Sequence, residues 1–508
     1  MDAITEARRL AASGRFDDFI DMSVTRFTEL YQGPWREYTE LVGGISPTVL
    51  EDYPEITVIS SAASSWFAPH TSLGWARVEK AVSMMRHRAE TQQDARHRMR
   101  SAGIELGAFR ILSRTANAAE AARRWETALQ DLSPDSVLAS AEMIHVIGVQ
   151  AVGAYAQHGD FAEAARALSH LREDDNVWRR LHAESMAAMA MALYGDMPAA
   201  RRLVESTASL VAGAPWAGSY NAVGSLIATA LLAIEDGDGL EAHRILDRLD
   251  DRVHSVDHWP FILVARGRAL RLTHSPGEGV DILQELAREH RGRRAGDFGV
   301  NLLRATIGDL LAASGHTEHA RSLLDREDGP NPGTLSLARL ILRQDPAEAR
   351  RRVRALSASH HLSPRMKTEA LLLQAIATAR LGMPHHARTL IERAASLIDR
   401  KGNYSTLALS PRQDLVALLP TTSRISEALA NLPADGDDHG ASTTPVLTPS
   451  ETRVLHGFLN QASARTLAAN LYLSPNTVKT HLRNIYRKLG AKDRESALSV
   501  ALKHGLLD

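Results

Sequence analysis

A short two-helix unit recurs along most of this 508-residue chain. Each copy has an apolar helix, a turn containing Gly, Asp or Pro, and a second helix that carries a small or apolar residue, usually Ala, near its start. The clearest turns begin at Gly159, Gly195, Asp236, Ser275, Gly315, Asp345 and Gly382. We measure the spacing between copies from the small or apolar residue near the start of each second helix, which is Ala165, Ala200, Ala242, Val280, Ala320, Ala349 or Ala387. The spacing ranges from 29 residues (320 to 349) to 42 residues (200 to 242). Periods of this size are typical of α-solenoids, because a lone helix pair cannot bury its apolar face whereas stacked pairs bury each other's faces.

The best copy, residues 159–168, is similar to the turn and second helix of a tetratricopeptide repeat. Gly at the turn supplies the left-handed conformation that ends the first helix, and the Ala lets neighbouring helix axes approach closely. Weaker copies occur at residues 14–16 and 117–120. We therefore predict an all-α chain in which residues 1 to about 430 form a tetratricopeptide-like α-solenoid.

Composition excludes several classes of protein. The chain has no Cys, which excludes disulfide scaffolds, iron–sulfur clusters and cysteine nucleophiles. Its two long uncharged stretches, 56–76 and 206–234, are interrupted by Pro and Ser. The dense apolar part of the second, residues 222–234, is shorter than the roughly 20 residues that a bilayer requires. The N-terminus does not have the pattern of a signal peptide, so we expect a cytoplasmic protein without a membrane segment.

The composition changes after residue 430. Residues 432–445 are acidic, small and rich in Pro and Gly, with too little apolar surface to order themselves. We therefore predict a flexible linker at residues 431–446. Residues 447–508 then show four short helical patterns, which have Thr448, Ser463, Ser474 and Asp493 as their N-caps.

The third of these predicted helices has two distinct faces. Its apolar stripe has the spacing i, i+4, i+7 and i+11 and consists of Val478, Leu482, Ile485 and Leu489. Its other face is polar and cationic and consists of Lys479, Thr480, Arg483, Asn484 and Arg487. Such a helix fits the major groove of DNA, where cations meet phosphates and Lys, Arg or Asn reach base edges.

Charge separates the two regions. From residue 447 onward, nine Lys and Arg face four Asp and Glu, which is a net charge of +5. The remaining 50 basic and 56 acidic residues give the rest of the chain a net charge of −6. A basic small domain joined to an acidic large one is typical of a nucleic-acid binder with a separate regulatory body.

A set of residues spread over the last 62 positions carries the most specific resemblance in the chain. They are Leu447, Thr448, Glu451, Val454, Leu455, Leu467, Ala468, Leu471, Ser474, Thr477, Val478, Lys479, His481, Leu482, Asn484, Ile485, Tyr486, Lys488, Leu489, Gly490, Arg494, Ala497, Gly505 and Leu506. Together they resemble the LuxR/FixJ-type DNA-binding domain, which is a four-helix helix-turn-helix domain.

This resemblance implies a role for each polar residue of the third helix. Lys479, Thr480 and Arg483 would face base edges. The residues expected near the DNA backbone are Thr477, His481, Asn484 and Arg487. We include Ser474, which begins the helix, among the DNA-binding residues. The resemblance further implies a transcription regulator that binds double-stranded DNA as a homodimer through its fourth helix and contacts RNA polymerase.

The N-terminal array is similar to the helical-repeat part of large MalT-like regulators. Those proteins also carry a nucleotide-binding domain, whose phosphate loop needs Lys directly after Gly. This chain has seven Lys, and none of them follows Gly. We therefore predict no ATPase domain, no cofactor and no enzymatic activity, and we expect the array to bind a small-molecule or protein effector.

Three questions remain open from the sequence. One alternative is a protein-interaction scaffold whose terminal module reads no DNA. The closest groups among the 22 His are the pairs His254 and His258, His360 and His361, and His385 and His386. We interpret the His as surface or hydrogen-bonded side chains and not as metal ligands. The seven Trp all lie in the first 259 residues, where they either fill gaps between helices or line a concave ligand-binding face.

Overall fold

A computed structural model describes most of the repeat region and part of the C-terminal region. The described residues are 1–65, 72–89, 95–131, 141–169, 171, 176–211, 220–249, 258–290, 295–325, 332–358, 362–419, 424–431, 451, 454–457, 466–468, 478, 481–482, 485–486, 489, 491 and 493–503. Their regular structure is α-helix and short 3₁₀-helix, without a strand, which confirms the predicted all-α class. The predicted linker lies outside these residues, apart from Asn431.

Nine helices precede the first clear repeat. They are α1 (Ala3–Ala12), α2 (Phe16–Thr25), α3 (Phe27–Gln32), α4 (Trp35–Gly43), α5 (Pro47–Asp52), α6 (Pro54–Ser65), α7 (Ser72–Ala89), α8 (Ala95–Ile111) and α9 (Thr115–Gln130) among the described residues.

The clear repeats continue as helix pairs. They are α10 (Ala141–His158), α11 (Phe161–Ser169), α12 (Val177–Tyr194), α13 (Met197–Val211), α14 (Val223–Glu235), α15 (Gly239–Asp247), α16 (Trp259–Thr273), α17 (Pro276–Glu289), α18 (Asp297–Ala313), α19 (Thr317–Leu324), α20 (Pro332–Ile341), α21 (Pro346–Ser357), α22 (Pro364–Arg380) and α23 (Pro384–Lys401). A 3₁₀ segment (Tyr404–Leu409), α24 (Arg412–Leu418) and α25 (Arg424–Asn431) follow.

Most of the turns that join the two helices of a pair share one hydrogen-bonded geometry. In seven of the described turns, the first helix ends at a residue with positive φ, between 55° and 93°: Gly14, Ser113, Gly159, Gly195, Gly237, Gly315 and Gly382. The N–H of the next residue then donates to the carbonyl five positions earlier, as Asp160 does to Tyr155 at 2.9 Å. This is the Schellman motif, so the turn conformation predicted from Gly is confirmed, with Ser113 as the exception in residue type.

Each second helix buries a small residue one turn after its cap. The N–H of this residue donates to the carbonyl of the cap residue four positions earlier. The residues at this position are Ala118, Ala164, Ala200, Ala242, Gly279, Ala320, Ala349 and Ala387, and all are buried. The sequence analysis placed two copies one residue too late, at Ala165 and Val280, because the caps Asp160 and Ser275 set the register and the apolar pattern alone does not.

The first helices of successive pairs stack on one another. α8 contacts α10, and the chain of contacts continues through α12, α14, α16, α18 and α20 to α22. α12 is buried at every residue from Leu181 to Leu193, because neighbours cover it on all sides. Trp125 and Trp259 are also buried, so these two side chains fill space between helices.

The stack also closes on itself, because helices that are not neighbours in the stack contact each other. An array with nearest-neighbour contacts alone lacks such contacts. α10 contacts α18, α12 contacts α22, and α14 contacts the 3₁₀ segment. The buried Glu235 carboxylate accepts hydrogen bonds from Arg365 Nη1 and from the Ser405 N–H, each at 2.7 Å. Asn403 donates to the Gly195 carbonyl at 2.8 Å. The end of the array is therefore tied to its middle by buried polar contacts.

The small buried residue of α17, Gly279, gives a test of which position in a second helix packs against its neighbours. An added Cβ at Gly279 would lie 3.4 Å from Leu310 Cδ2, an ordinary contact, whereas one at Gly224 would lie 2.5 Å from the Ser185 carbonyl oxygen. We expect Gly279→Ala to raise the free energy of unfolding by about 0.5–1 kcal/mol through helix propensity. Gly224→Ala should lower it by about 1–3 kcal/mol through overpacking. Urea unfolding measures both, and a destabilised Gly279→Ala variant would contradict the assigned register.

The buried hydrogen bonds that Glu235 accepts from Arg365 and Ser405 are closing contacts of the array, and they give a second test. Glu235→Ala removes the nearer of the two carboxylates that contact the buried Arg365 and should cost about 3–5 kcal/mol. The matched control is the next residue, since Asp236 pairs with Arg201 at 3.0 Å on the surface, and Asp236→Ala should cost less than about 1 kcal/mol. Hydrogen exchange of residues 401–409 should increase only in the Glu235 variant, and equal effects would show that the closing contact adds no stability.

Candidate nucleic-acid interface

The apolar stripe of the third predicted C-terminal helix is buried as a unit. Val478, Leu482, Ile485 and Leu489 are all helical and buried. They share a core with Val454, Leu455, Leu467, Ala468, Ala497 and Ala501. The spacing predicted for the buried face of this helix is therefore confirmed.

Two described residues mark the borders of that stripe. His481 and Tyr486 are helical and half-buried, and Tyr486 packs against the edge of the core. Burial raises the pKa of the Tyr486 hydroxyl, because it disfavours the charged phenolate. On a helix of 3.6 residues per turn these two residues flank the stripe on either side.

The C-terminal helix begins at the predicted cap. Asp493 precedes the helix Arg494–Lys503, and its Oδ1 accepts the Ser496 N–H at 2.8 Å. Its carbonyl accepts the Ala497 N–H at 3.1 Å, which is the first bond of the helix. This helix places Ala497 and Ala501 in the shared core and therefore supports the third helix from behind.

Most of the predicted DNA-binding residues lie outside the described part of the chain. His481 is described, and the other seven are not: Ser474, Thr477, Lys479, Thr480, Arg483, Asn484 and Arg487. The caps Thr448 and Ser463 are also outside it, whereas Glu451 is helical and buried. The DNA-binding assignments therefore stay predictions, and the described residues establish the core on which such a helix would rest.

The described residues also bear on membrane and metal sites. No helix in the described ranges is both long and apolar enough to cross a bilayer. Within those ranges, no three His, Asp or Glu side chains come together as a metal site would need. A cavity of about 70 Å³ in the array has no Trp in its described wall, so the concave Trp-lined face is not found there.

Comparison with known proteins identifies the C-terminal region. The family model described as bacterial regulatory proteins, luxR family, matches residues 445–501. The probable transcriptional regulatory protein NarL of Mycobacterium tuberculosis (strain ATCC 25618 / H37Rv) is 43% identical over 68 residues, which is 13% of this chain and 32% of NarL. The CsgBAC operon transcriptional regulatory protein of Escherichia coli (strain K12) is 36% identical over 63 residues, or 12% of this chain and 29% of that protein.

A shorter relative is covered almost completely. The spore germination protein GerE of Bacillus subtilis (strain 168) is 33% identical over 64 residues, which is 13% of this chain and 86% of GerE. The chain thus spans about a third of the length of the first two relatives and most of the length of GerE. The match to the family model and the coverage of GerE together show that this chain belongs to the luxR family of bacterial regulatory proteins.

Proposed function

We propose that this chain is a DNA-binding transcription regulator with separate binding and regulatory parts. Residues 447–508 form the domain that binds promoter DNA, residues 1–430 form the array that receives the controlling signal, and residues 431–446 link them. The observation that carries the proposal is the buried stripe of Val478, Leu482, Ile485 and Leu489 within a luxR-family match. A helix anchored along one face presents its other face to a partner.

The partner of that other face is double-stranded DNA. The sequence assigns three cations to it, Lys479, Arg483 and Arg487, in a region with a net charge of +5. Lys479, Thr480 and Arg483 read base edges in the major groove, while Asn484 and Arg487 hold phosphates. His481 stands at the border of the buried stripe, where a ring nitrogen reaches the DNA backbone.

The proposal also includes the oligomeric state, the location and the partners of the protein. The protein binds as a homodimer through its last helix, to two half-sites about one helical turn apart. It works in the cytoplasm, contacts RNA polymerase, takes an effector on the array and catalyses no reaction. Relatives named as transcriptional regulatory proteins support the role in transcription regulation.

Arg483→Ala tests the proposed readout. We expect it to weaken binding to a selected genomic site by about 1–3 kcal/mol and to relax the preference at one base position. The control Lys503→Ala removes the same charge from the end of the last helix and should leave base preference unchanged. Fluorescence anisotropy of the full chain with the selected duplex and with single-base variants measures both effects.

The salt dependence of duplex binding distinguishes a DNA-binding regulator from a protein-interaction scaffold. A DNA binder loses affinity steeply as salt rises, with a logarithmic slope of about −0.9 for each phosphate neutralised. Duplex binding that is absent at low salt would favour the scaffold. An unchanged base preference in Arg483→Ala, with binding retained, would instead show that the wrong residues were assigned to readout.

A further inference from the structure

A cavity of about 70 Å³ lies inside the helical array, between the stacked first helices. Helices α16, α18, α20 and α22 form most of its described wall, and Phe161 at the start of α11 closes one side. Much of the wall is apolar, with Phe298, Leu302 and Leu335 among its side chains. The cavity therefore sits where the array closes on itself, close to the contact between α12 and α22.

The carboxylates around this cavity are already paired. Glu369 contacts Arg339 at 3.1 Å and Arg365 at 3.3 Å, and Asp309 pairs with Arg339. Glu235, just behind the wall, pairs with Arg365 at 2.7 Å. These three carboxylates therefore serve Arg339 and Arg365.

Two further arginines of α16 face the same cavity. Arg271 donates from Nε and Nη2 to the Ala408 carbonyl, at 3.0 and 2.6 Å. Arg268 also lines the cavity, and its Nη1 is buried without a hydrogen-bond partner among the described residues. The three carboxylates thus contact Arg339 and Arg365, and none of the ion pairs among the described residues involves Arg268.

Arg268 differs from the two paired arginines of the cluster, because its unsatisfied buried atom is the terminal Nη1, whereas that of Arg339 and Arg365 is Nε. Burial, and then the nearby charge of Arg365, lower the pKa of the Arg268 guanidinium to about 9, so it remains cationic at neutral pH. A buried donor of a charged group is destabilising when it lacks a hydrogen-bond partner. Buried polar atoms are almost always satisfied, and an exception calls for a group that completes it.

We propose that this cavity binds a small organic carboxylate, with the carboxylate on Arg268 and a short apolar chain against Phe298, Leu302 and Leu335. An engineered apolar cavity of about 150 Å³ holds benzene, so this smaller one suits a chain of two to four carbons, such as that of propionate. A carboxylate opposes the charge of Arg268 and accepts a charge-assisted hydrogen bond from its Nη1. The apolar wall favours such a ligand over a hydrated inorganic anion.

The cavity lies between helices that take part in the closing contacts of the array, so a bound ligand affects those contacts. Its wall joins α16, which carries Arg268, to α22, which carries Arg365. Arg365 in turn pairs with Glu235 and donates to Ser405 at 3.2 Å, so it belongs to the closing contacts of the array. A bound carboxylate therefore stabilises the closed array. The role of this ligand as the effector depends on the proposed function, whereas its binding does not.

Calorimetric titration of the full chain with sodium propionate at pH 7.5 tests the site. We expect saturable binding of one propionate per chain and an increase in Tm, because a ligand that binds only the folded state stabilises it. Propionamide, which has the same shape without the charge, and sodium chloride should do neither. The proposal is overturned if acetate, propionate and butyrate give no saturable heat up to roughly 10 mM, where a 1 mM site would be nearly full. It is also overturned if chloride binds as well as propionate.

Variants of Arg268 separate a binding role from a structural one. Arg268→Met should weaken propionate binding at least about tenfold. The Tm without ligand should stay the same or rise, because a buried donor without a described partner is removed. The control Arg244→Met, on the exposed surface of α15, should bind normally. Normal propionate binding by Arg268→Met would overturn the assignment, and so would a large fall in its ligand-free Tm.

A DNA assay then tests the regulatory role by itself. Propionate should change the affinity of the full chain for its selected duplex, and Arg268→Met should remove that change. Propionate binding with no effect on DNA affinity would overturn the effector role and leave the binding site in place. Absence of duplex binding in every condition would overturn the proposed function and leave the calorimetric result unaffected.

Discussion

The close approach of neighbouring helices depends on one small buried residue in each second helix. In most pairs a Schellman turn ends the first helix and the next residue caps the second helix. Four positions after the cap comes a buried Ala or, in α17, Gly. A larger side chain there would push the helix axes apart, because protein interiors are packed without spare volume. Repetition of this arrangement stacks the first helices from α8 to α22.

The stack then brings residues together that are far apart in the chain. The turn after α12 meets Asn403, and the end of α14 meets Arg365 and Ser405. These contacts are polar and buried, so each depends on the presence of its partner. The array therefore behaves as a closed body in which a change near α16 or α22 can reach the middle of the stack.

In the C-terminal region, too, a few buried residues fix how one helix packs against its neighbours. A single helix buries one stripe against short neighbouring segments, and the cap at Asp493 fixes the helix that supports it. A core of ten buried residues is enough to hold one helix in a fixed rotation about its axis. That rotation decides which residues are available to a partner, which is why the burial of Val478 and Ile485 matters for function.

Local features of the fold were predictable because they depend on residues close in sequence. The Gly turns, the cap at Asp493 and the stripe from Val478 to Leu489 each span less than about four helical turns, and each was predicted correctly. The register of Ala164 and Gly279 was predicted one residue late, since apolar periodicity does not identify the cap. The DNA-binding side chains other than His481 remain assigned by resemblance.

The amino-acid sequence alone therefore determined the helical class, the repeat and the family of the last 62 residues, because helix periodicity, caps and motif residues are local properties. Only the tertiary structure decided that the array closes and that Arg268 Nη1, without a partner among the described residues, lies at a cavity whose wall is partly apolar. That cavity draws its wall from Phe161, Phe298 and Arg365, which are separated by many repeats. No local sequence pattern marks such a site. The surroundings of Arg268 depend on which distant carboxylates the stacking of the helices brings near it. They also depend on which other arginines those carboxylates contact.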